Sequence, residues 1–530
     1  MIGSLAVMAE ARTDTLVTAE LLDRLAGMSS SHPSGPARAV ISPFSEAEIA
    51  SVADGSVEDV MAAVARARSA QARWAMISPD ARARVLHRYH DVLIERADEA
   101  MDLIQLEAGK SRIAAFEEVY EAIATARYYA KTGPRLVKRR RRAVSLPFFT
   151  KTWEYRHPLG VVGNITPWNF PFTLSVSDIL AALIAGNAVV VKPDEKTPFS
   201  ALYGKMLLDE SGLPEDLFLV VPGPGPILGP ALIDAVDFVS FTGSSAIGQE
   251  VAARAGARLI PSSMELGGKN AAIVMADADL AKTIPAISRA VYANGGQLCI
   301  AMERLYVDEG IRDEFTGRFV QHVRELPLTD RFDFSSALSP MIDRAHLSKV
   351  HSHVEDAVER GATLLTGGKP RPDVGPLFYE PTVLTDVDES MLVCSVETFG
   401  PVATIYGYSD IEEAIAAANE SDYGLNFSVW TSDSRKGVEV ASRLHAGTVG
   451  VNDGYAATWS SYDAPMGGWK SSGLSRRHGE VGLLKFTEPQ TISLQRGIDA
   501  FAPFPGMDYD RYHRVLGPMM KLLKRLPFYK

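Results

Sequence analysis

The sequence predicts an α/β fold of two or three domains organised around parallel sheet, and three observations carry that prediction. The chain has 530 residues, more than one ordinary hydrophobic core serves. Between residues 57 and 130 apolar side chains recur at helical spacing. From Gly160 onward, short β-rich apolar runs alternate with helical ones, the pattern of βαβ units whose sheet is covered on both faces.

The elements follow in order. Residues 1–36 read as an N-terminal extension that ends in a turn-rich stretch, 29–36, with no regular structure expected there. Val60, Val64 and Ala67, then Leu93, Ala97, Met101 and Ile104, mark a succession of amphipathic helices. The basic run 138–142 reads as a solvated strand or loop edge, because a chain of net charge −11 lacks the footprint of a nucleic-acid binder. Val161-Val162, 189–191, 218–221 and 238–241 are predicted strands of a first sheet, and a second alternating region runs from Ala271 to about Val451. No fixed-period repeat is present. In the C-terminal tail, Arg514, Lys521, Lys524 and Arg525 are interleaved with Leu516, Met519, Met520, Leu522, Leu523 and Leu526. Two readings stay open for it: a helix packed on a neighbouring subunit, or a basic amphipathic segment on an anionic membrane surface. Interruption by Pro518 and Pro527 favours the first.

Composition narrows the class. At 46% hydrophobic and 22% charged residues, the chain reads as a soluble globular enzyme. Two cysteines cannot build a disulfide framework, so a reducing cytoplasm is the default location. Residues 1–8 lack a basic n-region and a long apolar h-region, so neither a signal peptide nor a membrane span is expected. No metal site is expected.

One of the two cysteines, Cys299, follows Asn294-Gly295-Gly296-Gln297 in a Gly-rich polar turn. A structural cysteine sits in apolar runs as a small hydrophobe, whereas a nucleophilic thiol needs access and surrounding dipoles. Cys394 fits the structural kind. Glu265, in Met264-Glu265-Leu266-Gly267-Gly268-Lys269, has apolar and small neighbours that point to an enclosed carboxylate. Burial would raise its pKa toward the working pH of a general base. Asn169, in Thr166-Pro167-Trp168-Asn169-Phe170-Pro171, offers a neutral amide donor after a predicted strand. In Phe241-Thr242-Gly243-Ser244-Ser245-Ala246-Ile247-Gly248, a strand enters a Gly-Ser turn and then a helix, which would present backbone N–H groups to a pyrophosphate. This is not the G-x-G-x-x-G fingerprint.

Taken together, these segments resemble the signatures of the aldehyde dehydrogenase superfamily from about residue 40 to 490, and within it most resemble bacterial succinate-semialdehyde dehydrogenases. The resemblance implies an aldehyde-dehydrogenase-like fold: a Rossmann-like cofactor domain (37–137 and 158–267), a catalytic α/β domain (268–470) and a small β oligomerisation element (138–157 and 471–498), with the tail at 499–530. It implies Cys299 as nucleophile, Asn169 as oxyanion donor and Glu265 as the base that activates water. Thr166, Trp168, Lys192, Glu195, Gly225, Gly243, Ser244, Gly248, Leu266, Glu397 and Phe399 would hold the cofactor. A homodimer or homotetramer is implied as well.

Two departures stand out. Where better-known succinate-semialdehyde dehydrogenases carry two arginines for the substrate's distal carboxylate, this chain has Ser177 and Ala293, which leaves Arg304 and Arg476 as candidate cations. Glu195 can accept from free ribose hydroxyls and repels a 2′-phosphate, which favours NAD, with Lys196 beside it leaving room for NADP. The alternatives are oxidation of medium-chain or aromatic aldehydes, a catalytically silent interaction protein on the same fold, and a CoA-acylating dehydrogenase. Retention of Cys299, Glu265 and Asn169 opposes the silent protein, and Glu265 opposes CoA acylation.

Overall fold

In the computed structural model the described residues are 15–32, 35–144, 150–496, 502–503 and 505–525. Four helices, Val57–Ala75, Pro79–Glu95, Ala97–Ala108 and Arg112–Val137, fill the predicted helical region. The first opens on a capping box in which Ser56 and Asp59 satisfy each other's backbone N–H groups. Their apolar stripes pack against a six-stranded sheet to form one core.

That sheet runs Gly473–Leu474, Ser262–Glu265, Phe238–Thr242, Val161–Ile165, Ala188–Lys192, Phe218–Val220. All pairings are parallel except that of the edge strand Gly473–Leu474. The chain winds outward from Val161–Ile165 in one direction through Phe218–Val220, then restarts on its other side at Phe238–Thr242. A crevice opens at the carboxyl ends where the winding reverses, the usual ligand position in such sheets. The reversal lies between Thr166 and Gly243.

A second sheet of seven strands runs Thr363–Thr366, Thr382–Thr385, Val402–Tyr408, Met302–Asp308, Asn270–Val274, Asn426–Trp430, Thr448–Val451. It is parallel apart from the pairing of Thr363–Thr366 with Thr382–Thr385. The loop 266–269 joins the carboxyl end of the first-sheet strand Ser262–Glu265 to the start of the second-sheet strand Asn270–Val274. A third sheet of three antiparallel strands pairs Thr487–Gln495 with Thr150–Pro158 and that with Arg140–Arg142. The basic run is thus an edge strand, with Arg140 paired to Glu480 at 2.5 Å and Arg142 donating to Glu154 at 2.6 Å.

Three features add to the expectation. A helix, Ala19–Ala26, lies inside the N-terminal extension, capped by Thr18 and anchored by buried Leu22 and Leu25. An antiparallel hairpin joins Ala37–Ile41 to Glu48–Ala53. The tail forms one helix, Tyr509–Leu523, that runs across Pro518 instead of stopping there. Proline removes an N–H and leaves the carbonyl four residues earlier without a helical partner, but Pro518 is exposed, so water reaches that carbonyl. Among the described residues no helix is long and apolar enough to cross a membrane.

Candidate active site

Cys299 is placed by a backbone that only its sequence permits. The helix Leu280–Tyr292 ends, and Asn294, Gly295 and Gly296 follow with φ of 52°, 65° and 72°. Three successive left-handed residues are costly for chiral side chains, and asparagine and glycine tolerate them best. A Cβ on Gly296 would lie 2.1 Å from the Gly400 carbonyl oxygen, so the turn seats against backbone that cannot retreat. Side-chain amides then clamp it. Gln297 Nε2 donates to the carbonyls of Asn294 and Pro340, both at 3.0 Å, and Asn270 Nδ2 donates to that of Cys299 at 2.7 Å.

Asn169 lies at the mouth of this turn. Its side-chain amide donates to the Gln297 carbonyl at 3.1 Å, two residues before the cysteine. Two charges missed by the sequence reading hold it there. Lys110 donates to the Asn169 carbonyl at 3.1 Å and pairs with Glu118 at 2.9 Å. Glu118 accepts from the N–H groups of Phe172 and Thr173 at the start of the helix Pro171–Ala185. Both ions are fully buried, and burial pushes the Lys110 pKa down and the Glu118 pKa up.

Glu265 ends its strand facing the same cleft. Its Oε1 is buried without a hydrogen-bond partner, a costly state that an incoming water would relieve. Burial pushes its pKa up to about 7, with Arg477 opposing and Asp178 adding to the rise. Burial also pushes the half-buried Cys299 up to about 12, with Glu397 and Glu265 adding and Arg477 opposing. The resting thiol is therefore neutral.

One cleft is lined by Asn169, Glu265 and Cys299 together with Trp168, Gly243, Ser244, Leu266, Glu397 and Phe399. Glu397 Oε1 accepts from the Gly268 N–H at 2.8 Å, and a Cβ on Gly267 would lie 2.5 Å from its Oε2. Burial pushes Glu397 up to about 7, with Glu303 adding. Phe399, at φ 59°, stands edge-on to Trp168 at 5.7 Å, with His346 5.4 Å from Trp168. Burial lowers the His346 pKa to about 4, so this wall is uncharged at neutral pH.

Thr166, Lys192, Glu195, Gly225 and Gly248 do not line that cleft. Thr166 follows its strand and donates its N–H to the Lys192 carbonyl at 3.1 Å, beside the sheet's winding reversal. A Cβ on Gly225 would stand 3.5 Å from Lys192 Nζ, and one on Gly248 would run into Leu266 at 2.2 Å. Burial lowers the pKa of Lys192, with Asp194 and Glu195 opposing. Arg38, absent from the sequence reading, pairs with Asp54 at 2.6 Å and lies in the field of Glu195 and Asp194. Lys196 pairs with Asp343 at 3.1 Å. A Gly-Ser turn whose Ser244 caps the helix Ser245–Ala257, a buried lysine and carboxylates flank the crevice, and with the helix's remaining first-turn N–H groups they make a set that fits a dinucleotide.

The two proposed carboxylate cations do not reach the cleft. Arg304 is buried behind it and donates to the carbonyls of Lys269, Ala417 and Ala418. Arg476 donates to the Gly468 and Ser475 carbonyls. The neighbour, Arg477, lines the cleft instead, because its N–H and C=O pair with those of Met466 and fix which side chain turns inward. Its Nε donates to Asp178 at 2.9 Å. Ser177 donates to Glu121 at 2.7 Å, so its hydroxyl is committed. Burial alone would raise the Glu121 pKa, but His478 and Arg477 hold it down to about 2.

A second mouth shares Phe170, Leu298, Ile300 and Trp459 with the cleft and continues between Tyr120, Tyr455 and Tyr462. Arg289 stands on its wall, bridged to Glu117, whose carboxylate also accepts from Tyr455 at 2.9 Å. Ala293 lies in an adjoining hollow that Arg289 also lines. Reactive atoms thus sit where two entrances meet, one polar and glycine-rich, the other aromatic.

Comparison with known proteins agrees with this geometry. Residues 31–492 match the aldehyde dehydrogenase family. A protein of Mycobacterium ulcerans, provisionally named a succinate-semialdehyde dehydrogenase of the NADP(+) type, is 48% identical over 93% of this chain and 95% of its own. Betaine aldehyde dehydrogenase of Bacillus subtilis is 36% identical over 86% of this chain and 93% of its own. The crystal structure of an NAD-dependent aldehyde dehydrogenase from Sinorhizobium meliloti superposes with a TM-score of 0.85 at 33% identity, covering 90% of this chain and 95% of that one. With the thiol, amide and carboxylate gathered at one junction, these likenesses establish that the chain belongs to the aldehyde dehydrogenase family.

Proposed function

We propose that the protein oxidises succinate semialdehyde to succinate with NAD(P)+. The convergence of Cys299, Asn169 and Glu265 where two entrances meet carries this reading. The Cys299 thiol passes its proton to water in the cleft, and the thiolate sulfur adds to the aldehyde carbon. The Asn169 amide and the Cys299 N–H stabilise the resulting oxyanion, each donor worth about 3–4 kcal/mol in the transition state. A dinucleotide held by Trp168, Gly243, Ser244, Glu397 and Phe399 would supply the hydride acceptor, and loss of hydride from the substrate carbon leaves a thioester on Cys299. Glu265 removes a proton from water as its oxygen adds to that carbon, and the thiolate departs to release the acid. A kcat/KM panel of succinate semialdehyde, hexanal and benzaldehyde, each with NAD and NADP, tests the assignment; no turnover of the semialdehyde would refute it.

The relatives named for this substrate support it, and Arg289 supplies the charge it requires. We assign the distal carboxylate to Arg289, which Glu117 already partly neutralises. Arg289→Gln should raise KM for the semialdehyde about tenfold, and Glu117→Gln, which frees the guanidinium, should lower it. Hexanal should change little in either variant; equal changes for both substrates would exclude this role. The aromatic mouth favours a second reading, oxidation of uncharged medium-chain or aromatic aldehydes.

Cofactor choice follows from Glu195. Thr166, Lys192, Glu195 and Gly225 form the adenosine side of the proposed site, and Trp168, Gly243, Ser244, Gly248, Leu266, Glu397 and Phe399 the remainder. A carboxylate within about 4 Å of a 2′-phosphate is repelled by about 1 kcal/mol in water and by more when partly buried. Both dinucleotides are accommodated because Arg38 and Lys192 offset the acids, with NAD preferred. Glu195→Ser should shift the NADP-to-NAD ratio of kcat/KM upward about tenfold; an unchanged ratio would refute the assignment.

Residues 37–137 and 158–267 are proposed as the cofactor domain and 268–470 as the catalytic domain. The three-stranded sheet, whose strand Thr487–Gln495 leaves Ile492 and Leu494 exposed, is the proposed surface for a homodimer or homotetramer. A cytoplasmic location is in keeping with the two free cysteines.

A further inference from the structure

The tail lies beyond residues 31–492, the part matched to the family, and its helix is sorted by polarity to a degree the chemistry does not require. Asp508 caps it by accepting from the Arg511 N–H at 2.7 Å. At 3.6 residues per turn, Tyr512, Val515, Leu516, Met519, Met520, Leu522 and Leu523 fall within one arc of roughly 160°. Arg511, Arg514, Lys521, Lys524 and Arg525 all lie outside that arc, with Arg511 and Lys524 near its two margins. Residues 509–525 hold these five cations against one carboxylate, Asp510, in a chain whose net charge is −11. The apolar face is only partly covered: Tyr512 is buried, but Val515 is 45% and Leu522 64% exposed. Among the described residues none of the five cations is paired with a carboxylate. Pro518 falls on the polar side of the wheel, where its missing N–H costs least.

We propose that this helix lies on an anionic lipid surface, its exposed apolar side chains, Val515 and Leu522 among them, in the acyl chains and its cations among the headgroup phosphates. Charge decides between occupants. A groove on a second copy would have to supply a carboxylate at each margin of the helix, whereas a phospholipid layer presents apolar chains and anionic groups at the heights where this helix presents its own. Tyr509, 66% exposed at the first turn, suits the same interface. The enzyme body would then be held at the membrane without a spanning segment.

Co-sedimentation of the full chain with vesicles tests this. Mixed phosphatidylcholine–phosphatidylglycerol vesicles should carry down about tenfold more protein than phosphatidylcholine alone, and high salt should abolish the difference. Lys521→Glu with Lys524→Glu should lose the binding, and so should Leu522→Asp, with kcat and the molecular mass by light scattering unchanged. Equal recovery on both vesicle types would overturn the proposal. So would charge or Leu522 variants that leave vesicle binding intact, or that alter the molecular mass and thereby identify a second copy as the occupant.

Discussion

Cys299→Ser should lower kcat by at least about a thousandfold, about 4 kcal/mol, while leaving NAD affinity nearly unchanged. A serine hydroxyl is a far weaker nucleophile at neutral pH. The site holds its oxygen among groups that would oppose ionisation, since burial, Glu397 and Glu265 already push the native thiol up to about 12. Glu265, the general base in the cleft, is assigned to the hydrolytic water, and the Asn169 amide is a donor already aimed at the Gln297 carbonyl. Cofactor contacts lie across the cleft, so titration of dinucleotide binding separates loss of chemistry from loss of fold. Turnover within about tenfold of the native enzyme would remove Cys299 from its role.

Glu265→Gln should separate the two halves of the reaction. If Glu265 acts only on the hydrolytic water, a single-turnover burst of NADH survives while steady-state turnover falls by about 10²–10⁴. The pH dependence fixes the sign. A carboxyl raised to about 7 is protonated below that pH, so hydrolysis should be lost as pH falls through about 7 and regained above it. The glutamine variant should lack that limb. Loss of burst and steady state together would mean that Glu265 acts earlier, on the thiol itself.

What could be read in the sequence is what local backbone chemistry encodes. The strand 188–192 was legible as an apolar β-branched run, and the Cys299 turn as an Asn-Gly-Gly sequence that tolerates left-handed φ. The structure then brings nine of the proposed residues, Cys299 among them, to one cleft and leaves Thr166, Lys192, Glu195, Gly225 and Gly248 to its side. Features set by distant partners were not legible. Arg476 and Arg477 are indistinguishable in sequence, and only the pairing of Met466 with Arg477 decides which faces Cys299. Lys110 and Glu118 carry no local signal of their role, yet they meet in the core under the Asn169 loop. A tail helix was one reading of the sequence, but its continuation across Pro518 was not legible, because proline weighs against helix locally.

In the proposed mechanism the acyl group resides on Cys299 until Glu265 delivers water. The most direct test is peptide mapping by mass spectrometry of the Glu265→Gln variant, quenched after mixing with succinate semialdehyde and NAD. The account predicts a succinyl adduct on the peptide containing Cys299, near one per active subunit, and none when NAD is left out. An unmodified Cys299 peptide alongside a full NADH burst, or an adduct on Cys394 instead, would contradict it.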